Sequence, residues 1–200
     1  MRPVIKICGL TRQCDIDAVN AARPEYVGFV FVKHRLQVSA SHAKVLRRRL
    51  SPEIVPVGVF VNERIEQIIS LVRGGVIDAI QLHGEEDEEY INTLKALTTS
   101  PVIKAVSVLK KGDVEQWLDT RADYILLDSK GGATGKLFDW HLIGNVPRPF
   151  FLAGGLNVQN IDAAIEQVRP YAVDISSGVE TGGLKDPTKI NELIRRIRND

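Results

Sequence analysis

Val4-Ile5-Lys6-Ile7-Cys8-Gly9 and Tyr124-Ile125-Leu126-Leu127-Asp128-Ser129 decide how this chain is read. Each is a short apolar run that ends on one reactive side chain and passes at once into loop residues, the pattern of a buried strand. A thiol and a carboxylate at the C-terminal tips of two parallel strands would both look into the mouth of a barrel, where (β/α)8 enzymes keep their chemistry. Six further runs follow the same pattern: 26–32, 54–61, 79–83, 102–106, 150–153 and 172–176.

Between these runs the hydrophobic period changes to that of a helix. Ile65, Ile68, Ile69 and Val72 recur at i, i+3, i+4 and i+7, with Asn62 placed to cap the start. Asn157 is placed likewise before Ile161, Ala164, Ile165 and Val168. Asp186, with Pro187 in the first turn, precedes Ile190, Leu193, Ile194 and Ile197. Eight strand–helix units in 200 residues suit an α/β fold of the (β/α)8 TIM-barrel type, a single domain over 1–200. The competing architecture, a doubly wound open sheet, advertises itself by a glycine-rich turn after its first strand. Here Gly9 stands alone and the glycine-rich turns come late.

Composition narrows the function. Lys+Arg 26 against Asp+Glu 25 leaves a net charge of +1, and no basic stripe with interleaved aromatics speaks for nucleic acid. Arg47-Arg48-Arg49 reads as a solvated helix face. No apolar run approaches the ~20 residues that span a bilayer. The N-terminus lacks a signal-peptide layout, and two cysteines without one point to reduced thiols in a cytoplasm. Cys8 and Cys14 have no partner pair, so no metal site is expected.

Three strand-end loops are rich in glycine: Gly131-Gly132-Ala133-Thr134-Gly135, Ala153-Gly154-Gly155-Leu156-Asn157 and Ser176-Ser177-Gly178-Val179-Glu180. The last two follow strands seven and eight, the place where barrel enzymes bind phosphate. Gly154, Gly155, Ser176, Ser177 and Gly178 are therefore the expected phosphate-binding residues.

The chain resembles the phosphoribosylanthranilate isomerases of the tryptophan pathway. The resemblance is carried by Lys6-Ile7-Cys8-Gly9-Leu10-Thr11, Gly58-Val59-Phe60-Val61-Asn62, Gln81-Leu82-His83-Gly84, Leu127-Asp128, Phe138-Asp139-Trp140, Phe151-Leu152-Ala153-Gly154-Gly155-Leu156 and Asp174-Ile175-Ser176-Ser177-Gly178-Val179-Glu180. It implies an Amadori rearrangement of N-(5-phosphoribosyl)anthranilate that needs no cofactor. By resemblance Asp128 is the general acid that opens the furanose ring, and Cys8 the general base that takes the C2 proton.

Side-chain alternation puts Cys8 on one face with Lys6, while Ile5 and Ile7 point outward. A nearby ammonium would favour the thiolate. Asp128 shares its face with Leu126 and Tyr124, and burial there would favour the protonated acid. His83 either lines the mouth or satisfies a loop carbonyl. Asp174 either faces the sugar hydroxyls or pairs with Lys6. Trp140 and Phe138 read as packing residues.

The chain departs from the family pattern after strand two. The family places Ser-x-Arg there, its arginine holding the anthranilate carboxylate. Here the segment is Lys33-His34-Arg35-Leu36-Gln37-Val38-Ser39, which makes Arg35 the expected anchor, with Lys33 or His34 as substitutes. The loop after strand eight is one residue short and lacks the usual proline. Two rivals remain: the histidine-pathway isomerase, which places aspartate where this chain has Cys8, and a barrel that binds a phosphorylated ligand without chemistry. Monomer and homodimer are both left open.

Overall fold

In the computed structural model, which describes residues 2–129 and 139–199, eight parallel strands form a ring. They are β1 (Val4–Cys8), β2 (Tyr26–Val30), β3 (Val55–Phe60), β4 (Ala79–Leu82), β5 (Val102–Ser107), β6 (Tyr124–Asp128), β7 (Phe150–Leu152) and β8 (Ala172–Ile175). Each pairs with the next, and β8 pairs back onto β1 in the register Ile5–Val173, Lys6–Asp174 and Ile7–Ile175. Closure leaves no unpaired edge. The expected barrel is the fold, with strand ends shifted by one or two residues.

The helices are α1 (Gln13–Ala22), α2 (Ala40–Arg47), α3 (Ile65–Arg73), α4 (Glu88–Leu97), α5 (Ile161–Val168) and α6 (Pro187–Arg198). The expectation of eight strand–helix units needs correction. Among the described residues only a 3-10 turn follows β5 (Glu115–Trp117) and another follows β6 (Trp140–Leu142). After β5, Asp113 accepts from the Leu109 and Lys110 amides and Gly112 takes a left-handed φ of 95°, so turn chemistry displaces the helix.

Two expected caps also move. Asn62 is left-handed (φ 49°) and bonds across to the Glu85 amide, joining two loops, while α3 starts behind Arg64. Asn157 opens a turn by accepting from Gln159, and α5 starts behind Asn160. Asp186 caps α6 as expected, accepting from the Thr188 and Lys189 amides with Pro187 in the first turn.

Alternation along the strands builds two layers. Ile5, Ile7, Ile80, Leu82, Ile125, Leu127, Val173 and Ile175 point out to the helices. Inside, Val57, Ala79, Ile103, Leu126, Phe151 and Ala172 fill the N-terminal half. Tyr26 and Tyr124 stand edge-on to Phe151 at 5.7 and 5.5 Å. Full burial of one such side chain stabilises by ~1.5–3 kcal/mol. This apolar plug supports a polar layer above it.

Candidate active site

Above the plug the barrel opens into a cavity of about 360 Å³. Cys8 at the tip of β1 and Asp128 at the tip of β6 both line it. So do His83 after β4, Asp174 on β8, Gly154 and Gly155 after β7, and Ser176 and Ser177 after β8. Two expected site residues lie outside this lining, Arg35 and Gly178. The glycine-rich run 131–135 and Phe138 lie outside the described residues. Trp140 packs, half-buried, against the outer core, as expected.

Cys8 faces Gly28 across the β1–β2 ladder. A Cβ on Gly28 would stand 2.5 Å from the Cys8 sulfur, so the glycine is what gives the thiol its space. Beneath the thiol lies Lys6, wholly buried, its Nζ 2.8 Å from both Asp174 Oδ2 and Gln81 Oε1. Burial pulls the Lys6 ammonium down, but Asp174 and the Cys8 sulfur outweigh it, so the lysine is held above its ordinary range.

The Cys8 thiol is also raised. Burial is the main cause and Asp174 adds to it, while Lys6 and Lys185 offset only part. Lys6 favours the thiolate, as expected, but does not prevail. The Lys6 charge is already matched by a carboxylate at 2.8 Å, and desolvation wins.

Asp128 is buried above Leu126. Its Oδ1 accepts from the Ser129 amide at 2.7 Å. Its Oδ2 lies 3.5 Å from His83 Nε2. His83 thus lines the mouth rather than capping a carbonyl, and its Nδ1 meets Gln81 Nε2 at 2.8 Å. Asp174 Oδ2 pairs with Lys6, one of the two expected alternatives, while the buried Oδ1 has no partner among the described residues.

The loops after β7 and β8 form the rim. Gly154 and Gly155 are left-handed at φ 85° and 66°, and neither amide meets an acceptor among the described residues. Gly178 has a different task. A Cβ there would fall 1.9 Å from the Leu156 carbonyl oxygen, so Gly178 lets the two loops pack backbone to backbone. Lys185 supports Ser176 from below, donating to its carbonyl at 2.9 Å and to Glu180 at 2.6 Å. Burial lowers Lys185 from the usual lysine range despite Glu180.

Loop two and the end of β3 form an apolar wall: Val30, Val32, Leu36, Val59 and Val61 line it, and His34 stands beside them. Burial and the neighbouring Arg35 lower the His34 imidazole. The Arg35 guanidinium is engaged by the Glu180 carboxylate and the Gly183 carbonyl, bridging loop two to loop eight. Among the described residues no group of three or more His, Cys, Asp or Glu is disposed to hold a metal ion.

Sequence reasoning missed Gln81, Gly28, Glu180 and Lys185. Gln81 had a signal, since it is polar inside the apolar run of β4 and two residues before His83. The others depend on which strands and loops the closed ring makes neighbours.

The comparisons with known proteins agree with this geometry. A family model described as N-(5'-phosphoribosyl)anthranilate (PRA) isomerase matches residues 5–196. An N-(5'-phosphoribosyl)anthranilate isomerase of Endomicrobium trichonymphae is 46% identical, over 98% of this chain and 99% of its own. The crystal structure of phosphoribosyl anthranilate isomerase from Thermotoga maritima superposes with a TM-score of 0.90 at 38% identity, covering 99% of this chain and 100% of that one. Another solved phosphoribosyl anthranilate isomerase, in complex with reduced 1-(o-carboxyphenylamino)-1-deoxyribulose 5-phosphate, has a TM-score of 0.87 at 38% identity over 99% of this chain and 100% of its own. With a family model spanning nearly its whole length, and relatives this similar from end to end, the chain belongs to the N-(5'-phosphoribosyl)anthranilate isomerase family.

Proposed function

We propose that Asp128 and Cys8 carry out, as acid and base, the Amadori rearrangement of N-(5'-phosphoribosyl)anthranilate that membership of the family gives this chain. Asp128 donates its proton to the furanose ring oxygen, the C1–O bond breaks, and the anthranilate nitrogen supplies the electron pair that makes the Schiff base. Cys8 then takes the C2 proton onto sulfur, and the released pair forms the enolamine. Tautomerisation gives the aminoketone. Neither step needs an oxidant, a reductant or a cofactor.

One observation carries this reading: the thiol and the carboxylate line one cavity with a glycine rim on one side and an apolar wall on the other. The amides of Gly154 and Gly155, which meet no acceptor among the described residues, suit the 5'-phosphate together with Ser176 and Ser177. The valine wall and Leu36 suit the anthranilate ring. Arg35, at the edge of that wall, is the cation for the carboxylate once it leaves Glu180. Asp174 Oδ1, without a partner among the described residues, is an acceptor for a sugar hydroxyl. A reducing cytoplasm is the setting in which Cys8 stays a free thiol.

The test is a fluorescence assay on freshly prepared N-(5'-phosphoribosyl)anthranilate. Cys8→Ser and Asp128→Asn should each lower kcat by roughly 10²–10⁴ with the fold intact. Near-normal turnover by either variant removes that residue from the mechanism.

A further inference from the structure

A row of donors and acceptors crosses the barrel interior from the strand of Cys8 to Asp128. Lys6 Nζ donates to Gln81 Oε1 at 2.8 Å. Gln81 Nε2 lies 2.8 Å from His83 Nδ1, and His83 Nε2 lies 3.5 Å from Asp128 Oδ2. An ammonium has no lone pair to offer, so Gln81 must turn its carbonyl oxygen toward Lys6. Its NH2 group then faces His83. An amide NH2 only donates, so His83 Nδ1 must accept. A neutral imidazole carries its one proton on the other nitrogen, which is the nitrogen facing Asp128.

We infer that Gln81 is a positioning residue that holds His83 as the Nε2–H tautomer, so that the imidazole presents a donor to the Asp128 carboxyl. The catalytic meaning of this rests on Asp128 being the acid. Gln81 is 1% exposed in a barrel whose next layer down is apolar, where leucine would pack as well as an amide does. What leucine lacks is the two-ended polarity that carries the orientation of Lys6 across to His83.

The charged groups around His83 do not assign the tautomer otherwise. Asp128 faces it from β6, and Lys6 acts only through Gln81. Lys104 on β5 shares a groove with His83, but is matched by Glu86 at 2.9 Å. Glu85 and Asp87 line the same groove.

The test is a two-bond 1H–15N correlation spectrum of the 15N-labelled protein at mildly alkaline pH, with His83 assigned by the signals lost in His83→Asn. The expected pattern is protonated Nε2 and bare Nδ1. In Gln81→Glu a carboxylate would accept from both Lys6 and His83. The pattern should then switch to protonated Nδ1, with kcat down roughly 10–100-fold and KM changed less than about threefold. A protonated Nδ1 in the parent protein overturns the inference, as does an unswitched tautomer in Gln81→Glu. The parent spectrum decides even where the glutamate variant does not fold. The spectrum needs no turnover, so its failure is separate from that of the acid assignment, which Asp128→Asn decides.

Discussion

Lys6→Met would remove an ammonium from the barrel interior while keeping the length and bulk of the side chain. Asp174 would lose the donor to Oδ2 at 2.8 Å, and its Oδ1 has no partner among the described residues to begin with. Gln81 Oε1 would lose its donor as well. The Lys6 and Asp174 side chains are 0% and 8% exposed, so solvent screening does little to soften the change. Breaking such a buried pair on one side costs about 3–5 kcal/mol. At ~2–4 °C per kcal/mol for a domain of this size, Tm should fall by roughly 6–20 °C. Urea unfolding at neutral pH measures it. Adding Asp174→Asn should recover at least about half of the loss, since an unpaired amide costs less than an unpaired carboxylate. Lys6→Met alone should also slow alkylation of Cys8 by iodoacetamide in a Cys14→Ser background, because a charge that favours the thiolate is gone. A loss under about 1 kcal/mol, a double variant as unstable as the sum of the singles, or faster alkylation would refute this account of the pair.

Three further outcomes follow from the site. Burial raises Cys8, so the alkaline change in kcat/KM that marks titration of its thiol should come only above the ordinary thiol value of 9.0. In Asp128→Asn the residual rate should climb with pH up to that point, and a profile falling from pH 8 would contradict the raised thiol. Gly28→Ala places a Cβ 2.5 Å from the Cys8 sulfur; overpacking by one methyl should cost ~1–3 kcal/mol of stability and lower kcat more than it raises KM, and normal kinetics would show that the thiol has room to spare. Arg35→Ala should raise KM by about 10–100-fold, the worth of one charge-assisted hydrogen bond, with kcat little changed. An unchanged KM would pass the anchoring role to His34, which already lines the cavity.

What the sequence made legible was whatever depends on one strand at a time. The period-two alternation of Val4–Cys8 and Tyr124–Asp128 was enough to place the thiol and the carboxylate at the mouth, and the late glycine runs were enough to place the rim. What depends on two strands at once was harder. Nothing around Gly28 in the chain says that Cys8 will face it, because that follows from the β1–β2 register. The net shift of Cys8 also depends on the closed ring: Lys6 favours the thiolate, but burial, with Asp174 from 168 residues along the chain, outweighs it. Arg35 was sought as a free anchor, yet its partners Glu180 and Gly183 belong to loop eight. Asn62 and Asn157 looked like caps because asparagine suits helix starts and left-handed turns alike, and here the turns prevailed.

The join between the first and last strands has a consequence for how the protein is made. The Lys6–Asp174 pair, the Arg12 bond to the Lys185 carbonyl and the Arg35 bridge to loop eight all connect the first two units of the ring to the eighth. Contacts this distant in the chain form late, after the entropy of closing a long loop has been met. A growing chain on the ribosome carries Cys8 from the start. It has no carboxylate for Lys6 and no complete rim around the cavity until the eighth strand has emerged and docked. The site is therefore completed at ring closure, and a partly synthesised barrel holds the Cys8 thiol without the surroundings described above.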